Sequence, residues 1–71
     1  MYKKIRTYVH INGTVKMEVE NMVPADVLEN NMEVQRAAFA NSVGIKSIVE
    51  GGTTIVAVYE QGTTVVVNYV L

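Results

Sequence analysis

The sequence predicts an α+β domain of order ββαβββ, in which one helix packs on a five-stranded, mainly antiparallel sheet. Three observations predict this fold class. Two segments rich in β-branched residues flank Asn12-Gly13, a pattern typical of a β-hairpin. One stretch, residues 24–43, carries apolar residues at helical spacing. Residues 52–70 then contain the same strand-and-turn unit twice, ten residues apart, which predicts a meander.

Residues 2–10 and 14–20 are predicted to form the first hairpin. A three-residue loop, Ile11-Asn12-Gly13, with Gly13 in the left-handed conformation at a bulge, fits better than a two-residue turn. This register places apolar and oppositely charged residues across from each other, and such cross-strand pairs stabilise a sheet. One face pairs Val9 with Val15, Thr7 with Met17 and Ile5 with Val19, and the opposite face pairs Arg6 with Glu18 and Lys4 with Glu20, with Tyr8 beside Lys16 and His10 beside Thr14.

Residues 24–43 are predicted to form the helix. Pro24 suits a first turn, and Asp26 with Glu29 matches a capping box. A second box at Asn30 and Glu33 predicts a late start or a break and restart, and Gly44 suits the end of the helix. The predicted core stripe is Leu28, Met32, Phe39 and Val43, with Ala25 at its edge and Gln35 in its middle, and a second apolar stripe contains Val27, Val34 and Ala38.

The three remaining strands are predicted over residues 45–50, 53–59 and 63–70. A strand with one wet face alternates apolar and polar residues, but the last two strands are apolar on both faces. One face contains Ile55, Ala57, Tyr59, Val65, Val67 and Tyr69, and the other contains Val56, Val58, Val66 and Val70. A single helix covers one of these faces, so we expect the other to bind a partner.

The order hairpin, helix, further strands resembles the β-grasp arrangement of ubiquitin and of the small immunoglobulin-binding bacterial domains. The stretch from Gly13 to Glu20 is similar in style to the second strand of a ubiquitin-like protein. The resemblance implies a last strand parallel to the first, whereas a plain antiparallel sheet is an equally weighted alternative. The chain ends Tyr69-Val70-Leu71 without the di-glycine of conjugated proteins, and the resemblance implies no function.

Composition narrows the function classes for a single predicted domain, residues 1–71. The chain has no cysteine and one histidine, so we expect neither disulfides nor a metal or other cofactor. The formal net charge is −1, which gives no overall attraction to nucleic acid or anionic lipid. No apolar run reaches membrane-spanning length and no signal-peptide core is present, so the expected location is the cytoplasm.

No catalytic constellation is predicted, and we expect a protein that is not an enzyme. His10 has no neighbouring nucleophile or orienting group in the predicted hairpin, and Glu18 and Glu20 are accounted for by cross-strand ion pairs. Gly51-Gly52 leads into a strand, which favours a turn over a phosphate-binding loop.

The leading hypothesis is an interaction module that self-associates, with a dimer favoured, or binds a partner protein. The predicted interface residues are Val56, Val58, Val66 and Val70 on the sheet, with Val27 and Val34 as a second surface. Small chains without motifs are also typical of accessory or inhibitory proteins of viruses and mobile elements. The alternative hypothesis is a nucleic-acid or nucleotide binder that uses a basic and aromatic ligand face, namely Lys4, Arg6, Tyr8 and His10.

Overall fold

A computed structural model gives the structure of the protein; it describes residues 1–71, except for the side chain of Asn21. The strands are β1 (Tyr2–Val9), β2 (Val15–Val23), β3 (Ile45–Gly51), β4 (Thr54–Tyr59) and β5 (Thr64–Val70). A 3₁₀ turn (Ala25–Val27) leads directly into the helix α1 (Leu28–Ala40). The predicted α+β order ββαβββ is confirmed.

The five strands form one sheet in the order β2-β1-β5-β4-β3, and every neighbouring pair is antiparallel. The pairing of β1 with β5, in which Lys3 lies opposite Val70 and Val9 opposite Thr64, decides between the two predicted arrangements. The last strand is antiparallel to the first, so the parallel placement implied by the β-grasp resemblance is not observed. The segment containing α1 joins β2 to β3, which are the two edge strands.

The first hairpin has the predicted register, from Val9 opposite Val15 to Lys4 opposite Glu20. Gly13 has φ +86°, its N–H donates to the carbonyl of His10, and the His10 N–H donates to the carbonyl of Thr14. This is the predicted bulged turn, and the side chain of Asn12 also accepts the N–H of Thr14.

Strand β2 continues three residues past its predicted end at Glu20, to Val23. A register shift between Tyr2 and Lys4 places an extra residue in β2 there, where Met22 has φ +74°. Because of this shift Tyr2 lies opposite Val23, whose side chain is buried in the core.

The helix is shorter than predicted at both ends. Residues 25–27 form a 3₁₀ turn, so Asp26 lies inside this turn and the N-cap of α1 is Val27; the predicted capping box at Asp26 is therefore wrong. The α-helix ends at Ala40, where the Asn41 side-chain amide donates to the carbonyl of Ala37. Val43 lies in the following turn with 98% of its surface exposed, so its predicted place in the core stripe is also wrong.

The core lies between α1 and one face of the sheet. Met32 and Phe39 are the buried residues of α1, and Leu28 packs against the same cluster. The sheet contributes Val23, Ile55, Ala57, Val65, Val67 and Tyr69, which includes most of the face predicted to lie under the helix. No helix in the described part of the chain has the length and apolar character needed to cross a membrane.

Candidate interaction surface

Three side-chain contacts hold α1 over one face of the sheet. The Tyr69 hydroxyl donates to the side-chain oxygen of Asn31, and the Arg6 guanidinium donates to the side-chain oxygen of Gln35 over 3.1 Å. Arg36 donates two hydrogen bonds to the carboxylate of Glu50, at 2.6 and 3.1 Å. These contacts connect the helix to β5, β1 and β3, so they define which face of the sheet is covered.

The pKa values of groups in these contacts are shifted, by the ion pair at Glu50 and by burial at Tyr69. The hydrogen bond and charge of Arg36 hold the pKa of the Glu50 carboxyl below its usual value. Burial raises the pKa of the Tyr69 hydroxyl, since its side chain is only 1% exposed and a phenolate there would lose its hydration.

The opposite face of the sheet carries the four valines predicted to form an interface. Val56 lies across from Val66 in neighbouring strands, and Val58 and Val70 occupy alternate positions on the same face. All four are partly exposed, whereas the residues between them along each strand, such as Ala57 and Val67, are buried under α1.

The same uncovered face extends across β1 and β2. Thr7 of β1 lies opposite Val66 of β5 and opposite Met17 of β2, so the apolar side of the first hairpin is continuous with the valines. At the other end of the sheet Val49 lies opposite Val56. We call this surface the open face; its apolar residues are Ile5, Val9, Val15, Met17, Val19, Val49, Val56, Val58, Val66 and Val70.

The outer parts of the open face are strongly exposed. Val15 and Val19 on β2 are 59% and 54% exposed, Met17 between them is 62% exposed, and Val49 on β3 is 62% exposed. Sequence reasoning identified the valines of β4 and β5 but missed these residues as part of the same surface. The predicted hairpin register already grouped Val15, Met17 and Val19, but only the pairing of β1 with β5 shows which side of the sheet they join.

The predicted ligand face lies on the helix side of the sheet. Lys4 and Arg6 are opposite Tyr69 and Val67 of the core, and Lys4 is only 8% exposed. The ammonium of Lys4 forms the predicted ion pair with Glu20 at 3.1 Å. These two cations are thus held by the fold, while His10, at the end of the hairpin, is exposed.

Arg6 does not form the ion pair that was predicted with Glu18, although the two residues lie opposite each other in the sheet. Its guanidinium instead lies over the ring of Phe39, with the Cζ atom 5.3 Å from the ring centroid, and 5.8 Å from that of Tyr8. The Nε atom is buried without a hydrogen-bond partner among the described residues. The Arg6 guanidinium therefore contacts the helix instead of Glu18, since Phe39 provides an aromatic ring and Gln35 an amide oxygen that accepts its hydrogen bond.

A shallow cavity of about 330 Å³ lies above the first hairpin on the helix side. Its polar walls are Lys4, Arg6, Glu18 and Glu20, so carboxylates and cations share the surface. The Tyr8 and His10 rings stack beside it at a centroid distance of 6.4 Å, with only 6° between their planes. These two rings provide an aromatic platform next to a surface of mixed charge.

The second predicted surface, Val27 and Val34, is exposed on the outside of the helical segment. Val27 lies in the 3₁₀ turn, one residue before the start of α1, so the two valines are not on one continuous α-helix. Among the described residues no cluster of three or more histidine or carboxylate side chains is arranged to hold a metal ion.

No protein family model, curated protein or solved structure matches this chain.

Proposed function

We propose that this protein is a non-enzymatic interaction module that dimerises by packing its open face against the open face of a second copy. The single observation that carries the proposal is the alignment of apolar residues from all five strands on the side of the sheet opposite α1. Large contiguous apolar patches on the surface of globular proteins mark sites of association.

The shape of the open face supports a second copy as its occupant. All five strands contribute apolar residues to it, so the surface is broad and follows the pleat of one sheet. A second sheet of the same shape covers such a surface well, since two sheets that pack face to face bury their inner residues at a separation of about 10 Å.

The distribution of charged residues also supports packing of two open faces against each other. Among the strand residues whose face is fixed by a partner in a neighbouring strand, Lys3, opposite Val70 at the end of β1, is the charged one on the open face; Lys46 lies in the register shift of β3. The carboxylates of β2 and β3, at Glu18, Glu20 and Glu50, belong to the helix side. Packing of two open faces therefore removes few charged groups from water. The free-energy cost of desolvating charge, which is the largest penalty for burying polar groups, is small as a result.

The free energy expected from burying the valines of the open face in a dimer is large relative to the stability of such a small fold. Complete burial of a valine side chain contributes about 1.5–3 kcal/mol, and the stability of a domain of this size is only about 5 kcal/mol. Partial burial of the valines in β4 and β5 already offsets a considerable part of the entropic cost of association. We therefore expect folding and dimerisation to be thermodynamically coupled.

The experiment that tests this proposal is the solution mass of two matched double variants. Val58→Lys with Val66→Lys places two charges in the centre of the open face, and we expect a species of smaller mass by light scattering. Ala37→Lys with Val43→Lys adds the same charge at exposed positions away from the open face and should leave the mass of the wild type unchanged. Circular dichroism of each variant checks that the fold is retained.

A wild-type protein that is monomeric at micromolar concentration would contradict the proposal, as would an unchanged mass of the folded Val58→Lys, Val66→Lys variant. The second predicted surface has its own test in Val27→Lys with Val34→Lys. If this variant is the one that dissociates, the helical segment rather than the sheet forms the interface.

The alternative, binding of a nucleic acid or nucleotide, has one favourable observation, the stacked rings of Tyr8 and His10 beside Arg6. Against it, Lys4 is buried and paired with Glu20, and Arg6 is engaged by Gln35. An oligonucleotide titration at low salt separates the two functions, because phosphate-driven binding weakens steeply with ionic strength and association of apolar faces does not. Arg6→Glu should abolish any such binding.

A cytoplasmic location and an accessory or inhibitory role in a virus or mobile element stay predictions, as does the absence of enzymatic activity. Cell fractionation with an antibody against the protein tests the first of these.

A further inference from the structure

We propose a second interaction surface, independent of the open face: the free edge of β2 pairs with the same edge of another copy as an antiparallel strand. Strand β2 is at the edge of the sheet, and its residues before the bulge form a regular extended segment. Free edges of this kind are templates for pairing with a second strand. The other edge strand, β3, has a register shift between Ile45 and Ser47, which interrupts a regular edge.

The hydrogen bonds of the hairpin define which groups of β2 point to the free edge. The bond between the His10 N–H and the Thr14 carbonyl sets the phase of the antiparallel ladder. Every second residue of β2 after Thr14, namely Lys16, Glu18 and Glu20, therefore exchanges bonds with β1. The N–H and C=O groups of Val15, Met17 and Val19 point away from β1 and are available to another strand.

Residues 15–19 of β2 match the same residues of a second copy when the two strands run antiparallel. A two-fold axis through Met17 places Val15 opposite Val19 of the second copy, and these residues have the outward-pointing backbone groups. The same axis places Lys16 opposite Glu18 of the second copy, twice in each dimer. Both apolar and charged pairs are thus matched by one register.

Two neighbouring registers also pair the outward-pointing backbone groups of both strands, but their charged side chains do not match. A two-fold axis at Glu18 places this carboxylate opposite Glu18 of the second copy, and an axis at Lys16 places two ammonium groups opposite each other. Like charges directly opposite each other destabilise a sheet. The sequence of β2 therefore selects the axis through Met17.

Both charged residues are available for this contact. Within the described residues neither Lys16 nor Glu18 takes part in an ion pair, because Arg6 turns to Phe39 and Gln35 instead of Glu18. Both side chains are exposed and lie on the helix side of the sheet, opposite to the open face. Pairing of the β2 edges is thus compatible with packing of the open faces and uses different atoms.

Disulfide trapping tests the register directly, since the natural chain has no cysteine. Lys16→Cys and Glu18→Cys proteins are mixed in the Val58→Lys, Val66→Lys background, where the open face is disabled, and oxidised mildly. In the proposed pairing these two cysteines form a non-hydrogen-bonded pair with Cα atoms about 4.5 Å apart, within disulfide range. Two copies of Cys at position 16 lie diagonally, at about 7–8 Å, which is too far.

The expected result is a hetero-linked dimer, several-fold in excess of either homo-linked product by mass spectrometry. Glu20→Cys in place of Glu18→Cys is the register control and should link poorly to Lys16→Cys. A random distribution of linked products, equal linking of the control or no linking would overturn the proposal.

Charge reversal provides a second measurement that does not depend on oxidation. In the same background Lys16→Glu and Glu18→Lys should each raise the dissociation constant of the edge dimer by about tenfold, since each creates like-charge pairs. An equal mixture of the two variants restores opposite charges at both positions and should associate as tightly as the parent. Equal affinities of the parent, the single variants and the mixture would reject the pairing.

Discussion

Arg6 of β1 lies directly opposite Val67 of β5. Since residues opposite each other share a face of the sheet, this pairing places the charged side of the first hairpin beneath α1 and its apolar side on the open face. The arrangement differs from the usual one, in which the apolar side of a hairpin packs on the core. It leaves a helix side that contains cations and carboxylates beside the core, and an open face that is mostly aliphatic.

Arg6 should contribute to stability mainly through packing. We expect Arg6→Ala to lower the free energy of unfolding by about 1–2 kcal/mol, because the contact with the Phe39 ring is lost. Arg6→Met should cost clearly less, since methionine retains apolar contact with the ring and removes the buried Nε donor that has no partner. Urea denaturation of both variants measures this difference, and equal losses would show that the charge dominates.

Tyr69 should make the fold sensitive to alkaline pH. Its pKa is raised in the folded protein, whereas the unfolded chain ionises near the usual value of about 10. Below pH 10 this contribution to stability is complete, and it is lost as the pH rises through the higher folded pKa, because the unfolded state loses its proton first. The stability of the wild type should fall by up to about 1.4 kcal/mol per pH unit in that window.

Tyr69→Phe is the control for this pH dependence. It removes the hydrogen bond to Asn31 and should be less stable by about 1 kcal/mol at neutral pH. Between pH 10 and 11 the difference between the two proteins should shrink, as measured by urea denaturation at each pH. Parallel pH profiles would assign the alkaline loss to other groups.

Met22 is under backbone strain, since a side chain at φ +74° costs about 1–2 kcal/mol relative to glycine. Met22→Gly should therefore raise the free energy of unfolding by about 1 kcal/mol, because the side chain is exposed and contributes little packing. Met22→Ala removes the same outer atoms but keeps a Cβ atom, so it should show no such gain. Equal stabilities of the two variants would indicate that β2 relaxes at the bulge.

Gly13 should be required for the bulged turn of the first hairpin. Gly13→Ala is expected to cost about 1 kcal/mol at φ +86°, and the cost is conformational alone, since a Cβ atom there would meet nothing within 4 Å. Gly13→Asn should cost less, because asparagine adopts the left-handed region more readily. Thermal denaturation that ranks glycine, asparagine and alanine in this order would support the turn, and no loss in Gly13→Ala would contradict it.

The local features of the fold were predictable because neighbouring residues determine them. The register of the first hairpin follows from Gly13 and from matched pairs such as Val9 with Val15. The ends of α1 were less predictable: residues 25–27 form a 3₁₀ turn in place of a first α-helical turn, and Val43 follows a helix end at which the Asn41 side chain donates to the carbonyl of Ala37. The ion pair of Arg6 with Glu18 was not formed, because Phe39 lies far away in sequence but close in space.

The sequence by itself determined the elements, their order, the hairpin register and the surplus of valines on two faces of the last strands, since these depend on turn residues and on a period of two. Only the tertiary structure decided that β1 pairs antiparallel with β5, which unites Val15, Met17 and Val19 with Val56 and Val66 on one side. The physical reason is that a hairpin pattern specifies which residues share a face. Which of those faces the helix covers depends on pairing between strands that are more than fifty residues apart.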